Sequence, residues 1–113
     1  MSAMRIDRAA ILEIQEMLED EFVELVNTYK KDIDNKIAAL GVAIDATDDD
    51  TIRKLSHSMK GASLNLGVIH FGELCHRLEE DAKVAIRSQY ASHLAKIQEE
   101  KPMVFAELDA LLV

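Results

Sequence analysis

Apolar residues recur along this chain at helical spacings of three and four, with no stretch of strict strand-like alternation. From about Asp7 to Leu18, Ile11, Ile14 and Leu18 form one apolar face of a short first helix, which ends near the acidic run Glu19, Asp20 and Glu21. A second stripe, Phe22, Val26, Tyr29, Ile33, Ile37 and Leu40, predicts a helix from about Glu21 to Leu40. Lys30, Lys31, Asp34 and Lys36 then face water, and Gly41 is expected as a left-handed stop. The period breaks from Gly41 to Asp50. This stretch ends in Thr47, Asp48, Asp49 and Asp50, which offer side-chain acceptors and negative charge to a helix N-terminus. A third helix is expected from there to Leu66, with Gly67 as its stop. A fourth, from about Val68 to Arg87, would bury Phe71, Leu74, Cys75, Leu78, Ala82 and Ile86, leaving Glu73, His76, Arg77, Glu80 and Lys83 wet. The last, roughly Gln89 to Leu112, aligns Tyr90, Leu94, Ile97, Val104, Leu108 and Leu111, with Pro102 removing one helical hydrogen bond and predicting a kink.

Short connections between long amphipathic helices favour antiparallel neighbours. The expected fold is all-α, an antiparallel up-and-down four-helix bundle with a short additional N-terminal helix capping one end. A length of 113 residues suits a single domain over residues 1–113 and leaves no room for a nucleotide-binding kinase domain. Composition agrees, because Gly 4 and Pro 1 are few beside the helix formers Ala, Leu, Ile, Glu and Lys.

Charge narrows the partner classes. A formal net charge of -8 disfavours nucleic acid and anionic membrane surfaces, both of which need clustered cations, so a protein partner is expected. No run of about 18 apolar residues is present to span a membrane, and the start MSAMRIDRAA lacks the apolar run of a signal peptide. Cys75 is the only cysteine, so no internal disulfide can form. The cytoplasm is the expected compartment, and a monomer the expected state. The Met1 start and Val113 end favour a free-standing protein. With no GxxxxGK[ST] or GxGxxG motif, neither ATP binding nor autonomous kinase activity is expected.

The candidate chemistry lies in the third helix. Ile52, Leu55, Met59, Ala62 and Leu66 cluster on its wheel, and His57 falls about 170° from their centre, on the solvent side. Asp50, Arg53, Lys54, Lys60, Gly61 and Leu64 lie within about 60° of His57, and three of them are cations. Gly61, one turn on, costs a mid-helix position roughly 1 kcal/mol relative to Ala, and its bare backbone gives an incoming group room. Leu64 is an apolar side chain on a face that should be wet, as expected of a docking surface.

A lone exposed histidine is ordinarily a surface residue, but the run His57-Ser58-Met59-Lys60-Gly61-Ala62-Ser63-Leu64-Asn65-Leu66-Gly67 resembles the signature of histidine phosphotransfer (HPt) domains. That signature reads histidine, any residue, Leu or Met, Lys, Gly, then small residues, and the likeness continues in Phe71, Leu74, Cys75, Leu78 and Glu79. The family often has Ser where this chain has Ala62, one small residue for another.

The resemblance implies a phosphorelay intermediate of bacterial two-component systems. His57 would accept phosphate from an aspartyl phosphate on one receiver domain, for example of a hybrid sensor kinase, and pass it to a response-regulator aspartate. By position, His57 is the phosphoacceptor, Lys60 stabilises the phosphoryl charge and Gly61 provides access, while Arg53, Lys54 and Leu64 are candidate docking residues. The domain would need no cofactor of its own, since Mg²⁺ is expected in the partner receiver. A helical adaptor that binds receiver or kinase domains without being phosphorylated is the alternative. The phosphorylated module of a chemotaxis-type kinase would share the fold but needs fused regulatory and ATP-binding domains.

Other residues are read structurally. His70 and His76, about 120° apart on a helix, cannot share a metal ion as residues four apart can, and no carboxylate cluster beside His57 suggests a metal site. Cys75 is expected in the core and His93 exposed without a partner. Asp48 to Asp50 are expected to cap a helix rather than to hold a metal.

Overall fold

The computed structural model describes residues 4–112, and five α-helices account for nearly all of them. These are α1 (Arg8–Leu18), α2 (Glu21–Asp45), α3 (Asp49–Leu66), α4 (Ile69–Lys83) and α5 (Tyr90–Ala110), with a short 3₁₀ turn, Arg87–Gln89, before α5. Helices α2, α3, α4 and α5 pack in chain order and α5 closes back on α2, while the diagonal pairs make no close backbone approach. This is the expected up-and-down bundle, with α1 laid across α2 and α3. Residues 1–3 and 113 of the expected single domain lie outside the described residues.

Asp7 caps α1 through its side chain, which accepts from the Ala10 amide at 3.1 Å, and Asp48 caps α3 in the same way through Thr51. The helix ends explain where the expected boundaries hold and where they fail. After α3, the Gly67 amide bonds to the Leu64 carbonyl at 3.1 Å and the Val68 amide to the Ser63 carbonyl at 2.8 Å. This crossed pair is a Schellman motif, and it needs a left-handed residue. Gly67 supplies it with φ 87°, and its missing Cβ also leaves room for Ile11 Cγ1, which would stand 3.0 Å away.

The same crossed pair ends α2 and α4, but on residues other than glycine. Thr47 (φ 51°) bonds to Ile44 and Asp48 to Ala43; Ala85 (φ 53°) bonds to Ala82 and Ile86 to Asp81. Gly41 is therefore not a stop. It lies inside α2, which continues past Leu40 because Ala43 is buried one turn on. Helix α4 likewise ends at Lys83 rather than Arg87, and Ile86, expected in the core, is 43% exposed beyond the turn. Helix α5 runs on through Pro102, burying Tyr90, Ile97, Val104 and Leu108.

The segment before α1 is tied down. Ile6 is buried, the Asp7 amide donates to the Gly67 carbonyl at 2.8 Å, and the Ile69 amide donates to the Arg5 carbonyl at 3.0 Å. Arg5 also pairs with Glu100 at 2.7 Å, joining the N-terminal segment to α5. The α3/α4 seam is close-packed at Gly72, where an added Cβ would lie 2.6 Å from Leu64 Cδ2. That seam carries the histidine.

Candidate functional site

The core face of α3 differs from the purely apolar stripe expected. Ile52, Ser56, Met59, Ser63 and Leu66 are its buried residues, while Leu55 and Ala62 are only partly buried. Two serines can sit in the core because both hydroxyls are bonded: Ser56 Oγ donates to the Ile52 carbonyl at 2.7 Å, and Ser63 Oγ shares a 2.7 Å hydrogen bond with the Tyr29 hydroxyl. This face is rotated so that its centre stands about 140° from His57 rather than about 170°. The difference brings the imidazole to the edge of the α3/α4 seam, within reach of a side chain on α4.

That side chain is Glu79. His57 is 64% exposed, yet its Nδ1 lies 2.7 Å from Oε2 of Glu79, whose own side chain is only 3% exposed. Glu79 follows Leu78 and stands between Cys75 and Ala82 on the buried arc of α4, so α4 points it at α3. The Lys60 ammonium lies 2.6 Å from Oε1 but off the direction of a good hydrogen bond, so charge attraction holds it there. Burial pushes the Glu79 carboxyl up, but Lys60 and His57 outweigh it and hold the group below the usual carboxylate range.

An ionised carboxylate only accepts hydrogen bonds, so the Nδ1 of His57 must carry the proton. In the neutral ring the Nε2 lone pair then faces outward. The site thus presents an outward nitrogen nucleophile, backed by a buried negative charge and flanked by an ammonium on a flexible stem.

The other expected site residues have more varied surroundings. Gly61 has open space where a Cβ would stand, with nothing within 4 Å, so no packing inside the chain requires glycine. Leu64 is 42% exposed but also rests on Gly72, so part of its presence is explained by the α3/α4 seam. Arg53 and Lys54 both pair with Asp50 at 2.9 Å, one turn from His57. Lys60 is half-buried and holds Glu79, so it has a structural role that an exposed lysine would lack. An apolar groove of about 370 Å³, lined by Ile14, Leu25, Tyr29, Ala62 and Leu66 among others, opens on the α2 side of α3.

One further expectation changes, at His93. A single carboxylate, Glu79, contacts His57, supplied by another helix. His93 is not free: its Nε2 lies 2.6 Å from Asp81 and its side chain is 13% exposed. The three aspartates stand at the start of α3 as expected, Asp48 as its cap and Asp49 and Asp50 in its first turn; Asp49 also binds Arg87 at 2.6 Å and the Tyr90 hydroxyl at 2.8 Å, and Asp50 pairs with Arg53 and Lys54. Cys75 is buried as expected, and burial pushes its thiol up to about 12. The role of Glu79 was missed, although a signal existed in an acid placed at helical spacing within the apolar arc Cys75, Leu78 and Ala82.

Comparison with known proteins agrees with this fold. The profile described as the Hpt domain matches residues 24–112. Among solved structures, histidine-containing phosphotransfer protein B from Pseudomonas aeruginosa PAO1 is 28% identical, with TM-score 0.92 over 96% of this chain and 95% of that one. A putative histidine-containing phosphotransfer protein from rice is 18% identical (TM-score 0.84, 96% and 81% covered), and one from maize is 22% identical (TM-score 0.77, 96% and 88% covered). The two plant structures share the fold. No curated protein matches the sequence. No described helix is long and apolar enough to cross a membrane. The exposed imidazole on a four-helix bundle, the motif around it and the match over most of the chain agree that the protein belongs to the Hpt domain family, the histidine phosphotransfer proteins of phosphorelays.

Proposed function

We propose that His57 is the phosphoacceptor, taking a phosphoryl group at Nε2 from the aspartyl phosphate of one receiver domain and giving it up to the aspartate of another. In this reading the chain is a cytoplasmic monomer that links a hybrid sensor kinase to a response regulator, as a phosphocarrier without kinase activity. The observation that carries the reading is the 2.7 Å contact between an exposed imidazole and a buried carboxylate.

As Nε2 attacks, the N–P bond forms while the bond from phosphorus to the aspartate oxygen breaks, and the aspartate leaves as a carboxylate. The ring gains positive charge in this step. Glu79 already faces that charge through Nδ1–H and stabilises it without reorganisation. Lys60 then swings from Glu79 to the phosphoryl oxygens, which carry nearly two negative charges. Glu79 is engaged by two nitrogen donors, so Mg²⁺ charge neutralisation is assigned to the receiver.

Gly61 leaves backbone open for the receiver's approach, and Arg53, Lys54 and Leu64 line the docking face. Docking should be small and transient, because a carrier must leave each partner after transfer. The test is to mix the protein with a phosphorylated receiver domain and Mg²⁺ and follow the label. Transfer to the wild type and none to His57→Gln is expected. Label on His57→Gln, or none on the wild type, would refute the assignment; undiminished signalling by His57→Ala would favour the adaptor reading.

A further inference from the structure

Glu79 has a second lysine beside it, on its own helix. Lys83 stands one turn on along α4, at the i,i+4 spacing that puts both side chains on one face. Its ammonium lies 3.9 Å from Oε2 of Glu79, the oxygen that is 2.7 Å from His57 Nδ1, whereas Lys60 sits at Oε1. Lys83 is therefore within two contact distances of the imidazole, approaching it from α4 where Lys60 approaches from α3. Its nearest partner is Glu80, at 2.9 Å, and both members of that pair are about half exposed. Glu80 holds the Lys83 ammonium above the ordinary lysine range, while the Arg53 charge on α3 opposes it across the seam.

A phosphoryl group on Nε2 brings nearly two negative charges to this seam, more than one lysine neutralises. Lys60 also has a second duty, since leaving Glu79 strips a cation from a side chain only 3% exposed. Lys83 has none. Leaving Glu80 merely returns an exposed carboxylate to water, and such a surface pair is worth little. We propose that Lys83 is a second phosphoryl-binding residue, which leaves Glu80 to pair with the phosphoryl oxygens on His57, and that Glu80 sets how readily it does so. This rests on the reading of His57 as the phosphoacceptor. The ammonium keeps its three protons throughout and contributes only charge and hydrogen bonds, while Glu80 acts through it as a competing acceptor.

The test measures rapid-quench uptake from a labelled receiver domain with Mg²⁺ by the wild type, Lys83→Gln, Lys83→Arg, Glu80→Gln and the double variant Lys83→Gln/Glu80→Gln. Circular dichroism verifies folding, which exposed substitutions in the last turns of α4 should not disturb. Lys83→Gln should slow uptake about two- to fivefold, the factor an exposed ion pair supplies, and Lys83→Arg should restore it. Glu80→Gln should speed uptake by up to about twofold, and should lose that effect once Lys83 is replaced. Phosphorus NMR of the phosphorylated protein, freed of its receiver, gives a readout that a merely structural lysine would not move. The phosphoryl group should titrate at higher pH in Lys83→Gln than in the wild type, because the lost cation favours the dianion. An unmoved titration, or uptake by Lys83→Gln within about 1.5-fold of a wild type that takes label, overturns the role of Lys83 and leaves the phosphoacceptor reading standing. Equal acceleration by Glu80→Gln with and without Lys83 overturns the role of Glu80. If the wild type takes no label, the phosphoacceptor reading fails and this inference falls with it.

Discussion

Replacing Glu79 by Ala removes the hydrogen-bond acceptor 2.7 Å from His57 Nδ1 and the ion-pair partner of Lys60 together. A hydrogen bond to a charged group contributes roughly 1.5–3 kcal/mol. If that contribution is realised where the ring becomes positive, its loss slows phosphoryl uptake by about 10- to 150-fold. The stability cost should be smaller, about 1–2 kcal/mol, because the burial penalty of the carboxylate disappears with it and the Lys60 ammonium, partly exposed already, can reach water. Rapid-quench transfer from a labelled receiver, with urea denaturation of the same samples, separates the two effects. Glu79→Gln can still accept from Nδ1–H through its amide oxygen but lacks the charge, so its rate should fall between those of wild type and Glu79→Ala. Nitrogen NMR of the imidazole should find the proton on Nδ1 in the wild type and a mixture of tautomers in Glu79→Ala. Uptake by Glu79→Ala within twofold of wild type, or Glu79→Gln slower than Glu79→Ala, would refute the reasoning.

Lys60→Ala leaves Glu79 buried with one partner fewer and should destabilise the fold by about 1–3 kcal/mol, a loss that Glu79→Gln in the same chain largely removes; urea melts of the four proteins close the cycle. The Glu79 carboxyl is held below its ordinary 4.5, so its stabilisation is present above that pH and is lost as pH falls through the depressed value. Denaturation midpoints between about pH 6 and about pH 3 should therefore fall more steeply for wild type than for Glu79→Gln, and parallel curves would contradict the pairing. Gly61→Ala meets open space and should raise stability by up to about 1 kcal/mol while slowing transfer, since the added methyl occupies the partner's approach; thermal melts and transfer rates should move in opposite senses. The Cys75 thiol, pushed up to about 12 by burial, should resist a thiol reagent at pH 8 in the native protein and react fully in denaturant.

Much of the fold is legible along the chain because periodicity and capping are local. The stripes of α1 to α5, the Asp7 and Asp48 caps and the Gly67 stop need only neighbours within a few turns. The missed boundaries have one cause. Thr47 and Ala85 adopt the left-handed conformation without being glycine, because the long-range fit of each helix end tolerates a strain that local propensity disfavours. Gly41 misled for the converse reason, since a glycine inside a helix with buried neighbours is carried along by tertiary packing.

The candidate site divides in the same way. His57, Lys60 and Gly61 are one helix turn apart, so sequence alone determined their common face and the exposure of His57. What it left undetermined was the carboxylate behind the ring, because Glu79 lies 22 residues away on another helix and reaches His57 only across a packed seam. Two buried serines, each satisfied by a hydrogen bond, rotate the core face of α3 far enough to bring the imidazole to that seam. A wheel drawn from hydrophobicity assigns serine to water, whereas the tertiary structure gives it a partner and so turns the helix. Local physics thus determined which nitrogen-bearing residue is displayed; the packing of α3 on α4 decided which of its two nitrogens is held by a carboxylate and which faces outward.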